Sequence, residues 1–159
     1  MSPYDRSPAS AGADKGVEDE KIQSARPRVL IVEDQALIAL SLAADLTAMA
    51  CEVVGRAASG EAAVELARRN SPDIVVMDIH LVGRMDGIEA AALIKAEGAP
   101  RFIFVTAYAD GPDRARMEAL GPVAILGKPY HPSELNLAVN VSSRRRLRRP
   151  AQVSAAAGD

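Results

Sequence analysis

The sequence predicts an α/β fold in which five helices cover a five-stranded parallel sheet. Short apolar runs rich in Val and Ile recur along the chain, and each is followed by a segment whose apolar residues have helical spacing. Strands that alternate with helices pair in parallel through right-handed crossovers. A doubly wound sheet of this kind usually has the strand order 2-1-3-4-5, a flavodoxin-like arrangement with strand 3 at its centre.

Five apolar segments are predicted as strands. Each is short, and most end at a polar residue or a glycine, which is the pattern of strands buried on both faces of a parallel sheet. In chain order they are residues 28–32, 51–55, 73–77, 102–105 and 123–126.

A helix is predicted after each strand. Leu42 and Leu46 belong to an apolar stripe after strand 1, Ser59 suits the cap of the second helix, and Asp86 suits a capping box on the third. Pro132 fits the first turn of the last helix. The predicted helices cover residues 38–49, 60–69, 87–97, 113–120 and 132–141. The apolar positions of the last helix are Leu135, Ala138, Val139 and Val141.

The composition is that of one ordinary globular domain. The chain has 159 residues, of which 48% are hydrophobic and 25% charged, and a formal net charge of −2. This charge points to no polyanionic or membrane partner. No apolar run has the length of a membrane span, and the single Cys51 excludes an internal disulfide. We therefore expect a cytoplasmic protein with one compact core.

Three segments are expected along the chain. Residues 1–26 lack apolar periodicity and are rich in Ser, Ala, Gly and charged residues, so we predict a disordered tail. Residues 27–143 contain the alternating elements and form the domain. Residues 144–159 open with crowded arginines and form a basic tail.

Polar side chains follow four of the predicted strands. Glu33 and Asp34 come after strand 1, Asp78 after strand 3, Thr106 after strand 4 and Lys128 after strand 5. Singly, each has a structural explanation as a turn or cap residue. Because the carboxyl ends of parallel strands meet at one edge of the sheet, we expect all five side chains to converge there.

Converging carboxylates favour a bound cation. Two of them 4 Å apart repel by roughly 4 kcal/mol at an effective dielectric constant near 20, and carboxylate oxygens are the ligands that Mg²⁺ prefers. Lys128 and Thr106 can contact phosphoryl oxygens, and an ionised Asp78 can attack phosphorus. The pattern predicts phosphoryl transfer to Asp78. The donor comes from outside, since no glycine-rich phosphate loop follows strand 1.

These motifs resemble the receiver domain of two-component response regulators. The matching elements span residues 28 to about 141. They are Val-Leu-Ile-Val-Glu33-Asp34, Asp-Ile-Val-Val-Met-Asp78, Met85-Asp86-Gly87, Val105-Thr106-Ala107 and Lys128-Pro129.

The resemblance implies a role for each site residue. Asp78 would be the phosphoacceptor, and Glu33, Asp34 and the backbone carbonyl of His80 would complete a site for Mg²⁺ or Mn²⁺. Thr106 and Lys128 would contact the phosphoryl group. Ala107, a small residue, would leave access to the acyl phosphate, and the Lys128–Pro129 peptide bond would be cis.

The sequence departs from the family pattern in two places. Ile125 stands where many receivers carry an aromatic switch residue, and Tyr108 is expected to take over part of that role. The run 102–108 partly resembles the stand-alone FAT GUY receivers. The loop after the phosphoacceptor also lacks a common proline and is one residue longer than in many relatives.

The implied function is that of a single-domain response regulator rather than an enzyme. It would be phosphorylated and dephosphorylated by its own catalysis, with a sensor histidine kinase as donor. Its output would be a downstream protein partner, a phosphotransferase or a phosphate-sink role. A homodimer would form through helix 4, strand 5 and helix 5.

Two alternatives belong to other classes of protein. A magnesium-dependent phosphatase with an aspartyl nucleophile usually needs a second Asp two residues further on, where His80 stands; turnover of a phosphomonoester would support this alternative. A nucleic-acid-binding regulator would use the arginine-rich tail, and its salt-dependent binding would disappear on truncation after Ser143. We favour a solvated helix end for the tail. Its arginines are Arg144, Arg145, Arg146, Arg148 and Arg149.

Overall fold

A computed structural model describes residues 26–146. It contains a five-stranded parallel sheet in the order β2-β1-β3-β4-β5, which confirms the predicted fold. The predicted tails lie outside the described residues, except for Arg26 and for the start of the basic segment. Within the described range, no helix combines the length and apolar character needed to cross a bilayer.

The elements alternate along the chain as expected. The strands are β1 (Arg28–Val32), β2 (Glu52–Ala57), β3 (Ile74–Met77), β4 (Arg101–Thr106) and β5 (Ala124–Gly127). The helices are α1 (Ala36–Ala48), α2 (Gly60–Asn70), α3 (Gly87–Glu97), α4 (Arg114–Ala119) and α5 (Pro132–Arg146).

The sheet separates two apolar clusters. Side chains alternate along β1, so that Leu30 packs with residues of α2, α3 and α4, whereas Ile31 packs with residues of α1 and α5. The central strands β1 and β3 are covered on both faces. Their apolar side chains are almost wholly inaccessible to solvent. The two strands are parallel, so both end at the same edge of the sheet.

The second strand begins and ends later than predicted. Gly55 was expected to end β2, but the strand continues to Ala57. A side chain at residue 55 would lie 3.2 Å from Leu30 Cδ1 and 3.4 Å from Leu66 Cδ1. Glycine therefore serves here for close packing between β2, β1 and α2, and does not break the strand.

The last helix differs from its predicted pattern at one position. Val141 is one of the apolar positions predicted for this helix, but it is 42% exposed and does not belong to the core. Ser142 is buried instead. Its hydroxyl donates to the Ala138 carbonyl oxygen at 2.8 Å, so the buried polar group remains hydrogen-bonded. The helix also continues to Arg146, beyond the predicted domain boundary at residue 143.

The cap of α2 provides a test of local stability. Ser59 Oγ accepts a hydrogen bond from the Ala62 backbone N–H at 3.2 Å. We expect Ser59→Ala to lower the free energy of unfolding by about 1 kcal/mol, as measured by urea denaturation. Ser59→Asp retains a capping oxygen and should be close to wild type. Equal losses in both variants would contradict the capping role.

Candidate functional site

The sheet register brings distant residues to one edge. Val32 on β1 pairs with Met77 on β3, so Glu33 and Asp78 leave the sheet side by side. On the other side of β3, Thr106 ends β4. The Lys128 backbone N–H donates to the Thr106 carbonyl oxygen at 2.8 Å, which places the lysine directly beyond β5.

Lys128 joins two of the carboxylates. Its Nζ lies 2.6 Å from Glu33 Oε2 and 2.8 Å from Asp78 Oδ2. Glu33 and Asp78 are 3% and 6% exposed, and the lysine side chain is 15% exposed. Asp34 completes the group, and one potential ligand atom from each of the three acids lies within 4.8 Å of the others. The predicted convergence is therefore present in the structure for Glu33, Asp34, Asp78 and Lys128.

The charges at this edge are unbalanced. With all three acids ionised, the cluster carries three negative charges against one positive charge from Lys128. Burial raises the pKa of Glu33 above its ordinary value, although hydrogen bonds from Lys128 and the Gln35 backbone lower it in part. Burial alone would lower the pKa of Lys128, but its hydrogen bonds to Asp78 and Glu33 outweigh that effect and raise it. The protonated lysine is thus stabilised, and an excess of negative charge remains.

The acids form a suitable site for a hard divalent cation. Their donor atoms are all carboxylate oxygens, which suit Mg²⁺ or Mn²⁺. A divalent cation would also balance the two negative charges that Lys128 leaves uncompensated. We infer from the donor set and its spacing that Glu33, Asp34 and Asp78 fit a magnesium ion.

The loop after β3 forms one wall of the site. The His80 backbone N–H donates to Asp78 Oδ1 at 3.3 Å, while its side chain is exposed. The imidazole lies against the Tyr108 ring, with 4.8 Å between the ring centroids and 59° between the planes. The two rings therefore stand together at the rim of the crevice.

The end of β4 forms the opposite wall. Thr106 is buried, and its Oγ1 accepts a hydrogen bond from the Tyr108 backbone N–H at 3.2 Å. Ala107 is exposed. Ile125, at the position of the missing aromatic residue, is half-buried and packs against the cluster of α2, α3 and α4. The Lys128–Pro129 peptide bond is cis.

Two neighbouring contacts were not predicted from the sequence. Tyr130 Oη donates to Asp45 Oδ2 at 2.8 Å across 85 residues of chain. Glu61 Oε1 accepts from the Arg84 backbone N–H at 3.3 Å, which ties the loop after Asp78 to α2. Neither contact can be recognised from the sequence near either partner. The one available indication is that a tyrosine two residues after the site lysine needs a hydrogen-bond partner when it is buried.

The sequence matches a known protein family and individual known proteins. Residues 29–140 match the family model described as the response regulator receiver domain. The transcriptional regulatory protein PdtaR of Mycobacterium tuberculosis is 39% identical over 118 residues, covering 74% of this chain and 57% of PdtaR. Protein-glutamate methylesterase/protein-glutamine glutaminase 3 of Myxococcus xanthus is 38% identical over 126 residues, covering 77% of this chain and 32% of that enzyme.

A solved structure gives the same result. The signal receiver domain of a modulated diguanylate cyclase from Desulfovibrio desulfuricans has a TM-score of 0.72 at 33% identity, covering 79% of this chain and 100% of the other. The chain spans 57% and 32% of the two curated relatives, so the similarity leaves the rest of each relative unmatched. The family match, these relatives and the shared fold show that the chain belongs to the response regulator receiver domain family.

Proposed function

We propose that this chain is the receiver domain of a response regulator and that it accepts a phosphoryl group on Asp78 from a phosphohistidine of a sensor histidine kinase. The supporting observation is the position of Lys128 Nζ between Glu33 and Asp78, in a cluster of three acids that fits a divalent cation. Receiver domains of response regulators receive phosphoryl groups from histidine kinases and act through downstream partners, so the chemistry agrees with the family.

In the proposed reaction, a carboxylate oxygen of Asp78 attacks phosphorus in line with the donor nitrogen. A P–O bond forms, the P–N bond breaks, and its electron pair returns to the donor imidazole. Lys128 Nζ, already 2.8 Å from Asp78 Oδ2, would pair with the transferred oxygens, and the Thr106 hydroxyl would donate to another. A magnesium ion held by the three acids and the His80 carbonyl oxygen would neutralise charge on the phosphoryl oxygens.

We expect a small donor to phosphorylate the site without a kinase. Incubation with acetyl phosphate and Mg²⁺ should add the mass of one phosphoryl group to the intact chain, and chelation of the metal should prevent it. Turnover of a phosphomonoester without a stable adduct would instead favour an aspartyl phosphatase.

We propose that the protein donor docks on the start of α1. Leu37 is 82% exposed, and Leu40 is also exposed on the helix that follows the acids at residues 33 and 34. Replacement of both leucines by Ala should slow transfer from a cognate phosphorylated kinase about tenfold, through loss of apolar contact. Transfer from acetyl phosphate should be unchanged. Equal slowing with both donors would contradict a docking role.

The output surface is proposed to be the face formed by α4, β5 and α5, through a homodimer or a downstream partner. Leu137 and Val141 are exposed on α5 and offer apolar contact area. A phosphate-sink role would require no such partner. If the output is a dimer or a partner complex, phosphorylation should change the sedimentation of the chain, alone or with its partner; if the chain is a phosphate sink, it should not.

The His80 and Tyr108 rings should slow hydrolysis of the acyl phosphate. They contact each other at the rim of the crevice, where they would restrict the approach of water. We expect the double variant His80→Ala, Tyr108→Ala to lose its phosphoryl group about tenfold faster, as measured by intact mass over time. Leu93→Ala, on the exposed side of α3, is the control. An unchanged lifetime in the double variant would contradict this shielding.

A further inference from the structure

The Lys128 ammonium is carried by a segment, Lys128 to Tyr130, whose backbone has few hydrogen bonds to the rest of the sheet. The lysine leaves β5, a four-residue strand at the edge of the sheet that pairs only with β4. Its own backbone N–H is bonded to Thr106, but Pro129 has no N–H to donate. A lysine side chain carries about 2 kcal/mol of rotamer entropy, so it does not hold one direction by itself. The conformation of the turn after β5 therefore affects whether the Lys128 ammonium can contact the acids.

Tyr130 attaches this turn to the first helix. Its ring packs at the edge of the cluster formed with α1 and α5, and its hydroxyl donates to Asp45 Oδ2 at 2.8 Å. The same helix, α1, begins two residues after Asp34. Tyr130 therefore connects the segment that carries the site lysine to the helix that follows two of the site acids.

The hydroxyl is not needed for packing. A phenylalanine would place the same ring against the same cluster, whereas the hydroxyl contacts the carboxylate of a half-buried aspartate. Burial and the bond to Asp45 both raise the pKa of Tyr130, so the phenol remains a protonated donor at neutral pH. A bond to an ionised acceptor is stronger and more directional than one between neutral groups.

We propose that Tyr130 is a positioning residue. Its hydrogen bond to Asp45 fixes the turn between β5 and α5 so that the Lys128 ammonium reaches both carboxylates. This inference rests on the proposed function where the measured quantity is the rate of phosphoryl transfer. It is independent of that function where the measured quantity is the position of the Lys128 ammonium.

The test uses Tyr130→Phe in the full chain, with Thr47→Val as the matched control. Thr47 lies on the same helix, and its hydroxyl bonds only within that helix, to Ala43 O at 2.7 Å. At a temperature where all variants are folded, we expect Tyr130→Phe to accept phosphoryl from acetyl phosphate about tenfold more slowly. Its Mg²⁺ affinity should not fall, because the three carboxylate ligands remain and the competing Lys128 ammonium is held less firmly against them.

Two further measurements separate positioning from general stability. In a Lys128→Ala background, Tyr130→Phe should cause no additional loss of rate, since its effect passes through the lysine. Without any phosphodonor, the ¹⁵N resonance of the Lys128 ammonium should shift or broaden in Tyr130→Phe and remain in place in Thr47→Val. Asp45→Asn, which keeps an acceptor oxygen, should retain most of the wild-type rate.

Each outcome is decisive. A wild-type rate in Tyr130→Phe, or an equal loss of rate in the Lys128→Ala background, would overturn the inference. If the wild type forms no adduct with acetyl phosphate or with a phosphorylated kinase, the proposed function fails. In that case a shifted ammonium resonance would still support positioning, and an unshifted one would overturn it.

Discussion

Asp78→Asn should abolish formation of the phosphoryl adduct. The asparagine amide is nearly isosteric with the carboxylate and retains an acceptor for the His80 N–H, which Asp78 now binds at 3.3 Å. It lacks the anionic oxygen that would attack phosphorus in the proposed reaction. We expect the adduct to fall by at least about a hundredfold, to the background of other carboxylates. Intact mass after incubation with acetyl phosphate and Mg²⁺ measures this directly.

The matched control for this variant is Asp73→Asn. Asp73 precedes the same strand at its opposite end, where its carboxylate accepts from the Arg28 backbone N–H at 2.9 Å. An asparagine can accept the same bond, so adduct formation should be normal. An adduct of wild-type yield in Asp78→Asn would show that the phosphoacceptor is another residue, and peptide mapping would then locate it.

Gly87→Ala should be strongly destabilising, although it adds only one methyl group. A Cβ atom at residue 87 would overlap the Asp78 carbonyl oxygen and would lie 2.8 Å from Ile79 Cα. Both are backbone atoms, so no side chain can rotate away. The loop after Asp78 would have to move, and we expect a loss of about 3 kcal/mol or more in the free energy of unfolding.

The control for the glycine variant is Gly98→Ala at the end of α3. A Cβ there would have Pro100 Cδ as its nearest neighbour at 3.6 Å, an ordinary contact. This variant should lie within about 0.5 kcal/mol of wild type in urea denaturation. If Gly87→Ala matched it, the loop would be able to move away at little cost, and the close approach of α3 to Asp78 would not be a constraint.

The sequence predicted the element order because the apolar runs in the centre of the sheet are unambiguous. β1 was predicted at its observed bounds, since Arg28 and Glu33 enclose a run of four aliphatic residues. At the edge of the sheet the signal is weaker, and Gly55 looked like the end of a strand that in fact continues past it. Its small size is required by Leu30 and Leu66, which are distant in sequence and so could not be anticipated.

The site was predictable to a similar degree. The convergence of Glu33, Asp78 and Lys128 follows from parallel strands that end at one edge, and the structure shows it. The pairing of one lysine with both acids depends on side-chain directions that no spacing reveals. The Tyr130–Asp45 hydrogen bond was missed for the same reason, since nothing near residue 45 or residue 130 specifies the other.

The ion pair between Glu33 and Lys128 spans 95 residues of sequence, and this separation bears on biosynthesis. During translation, the acids at residues 33 and 78 leave the ribosome well before the lysine that pairs with them. Until β5 has emerged and paired with β4, the acidic cluster lacks the Lys128 ammonium. If Asp78 accepts a phosphoryl group as we propose, a kinase would find the lysine in place only in chains whose last strand has paired.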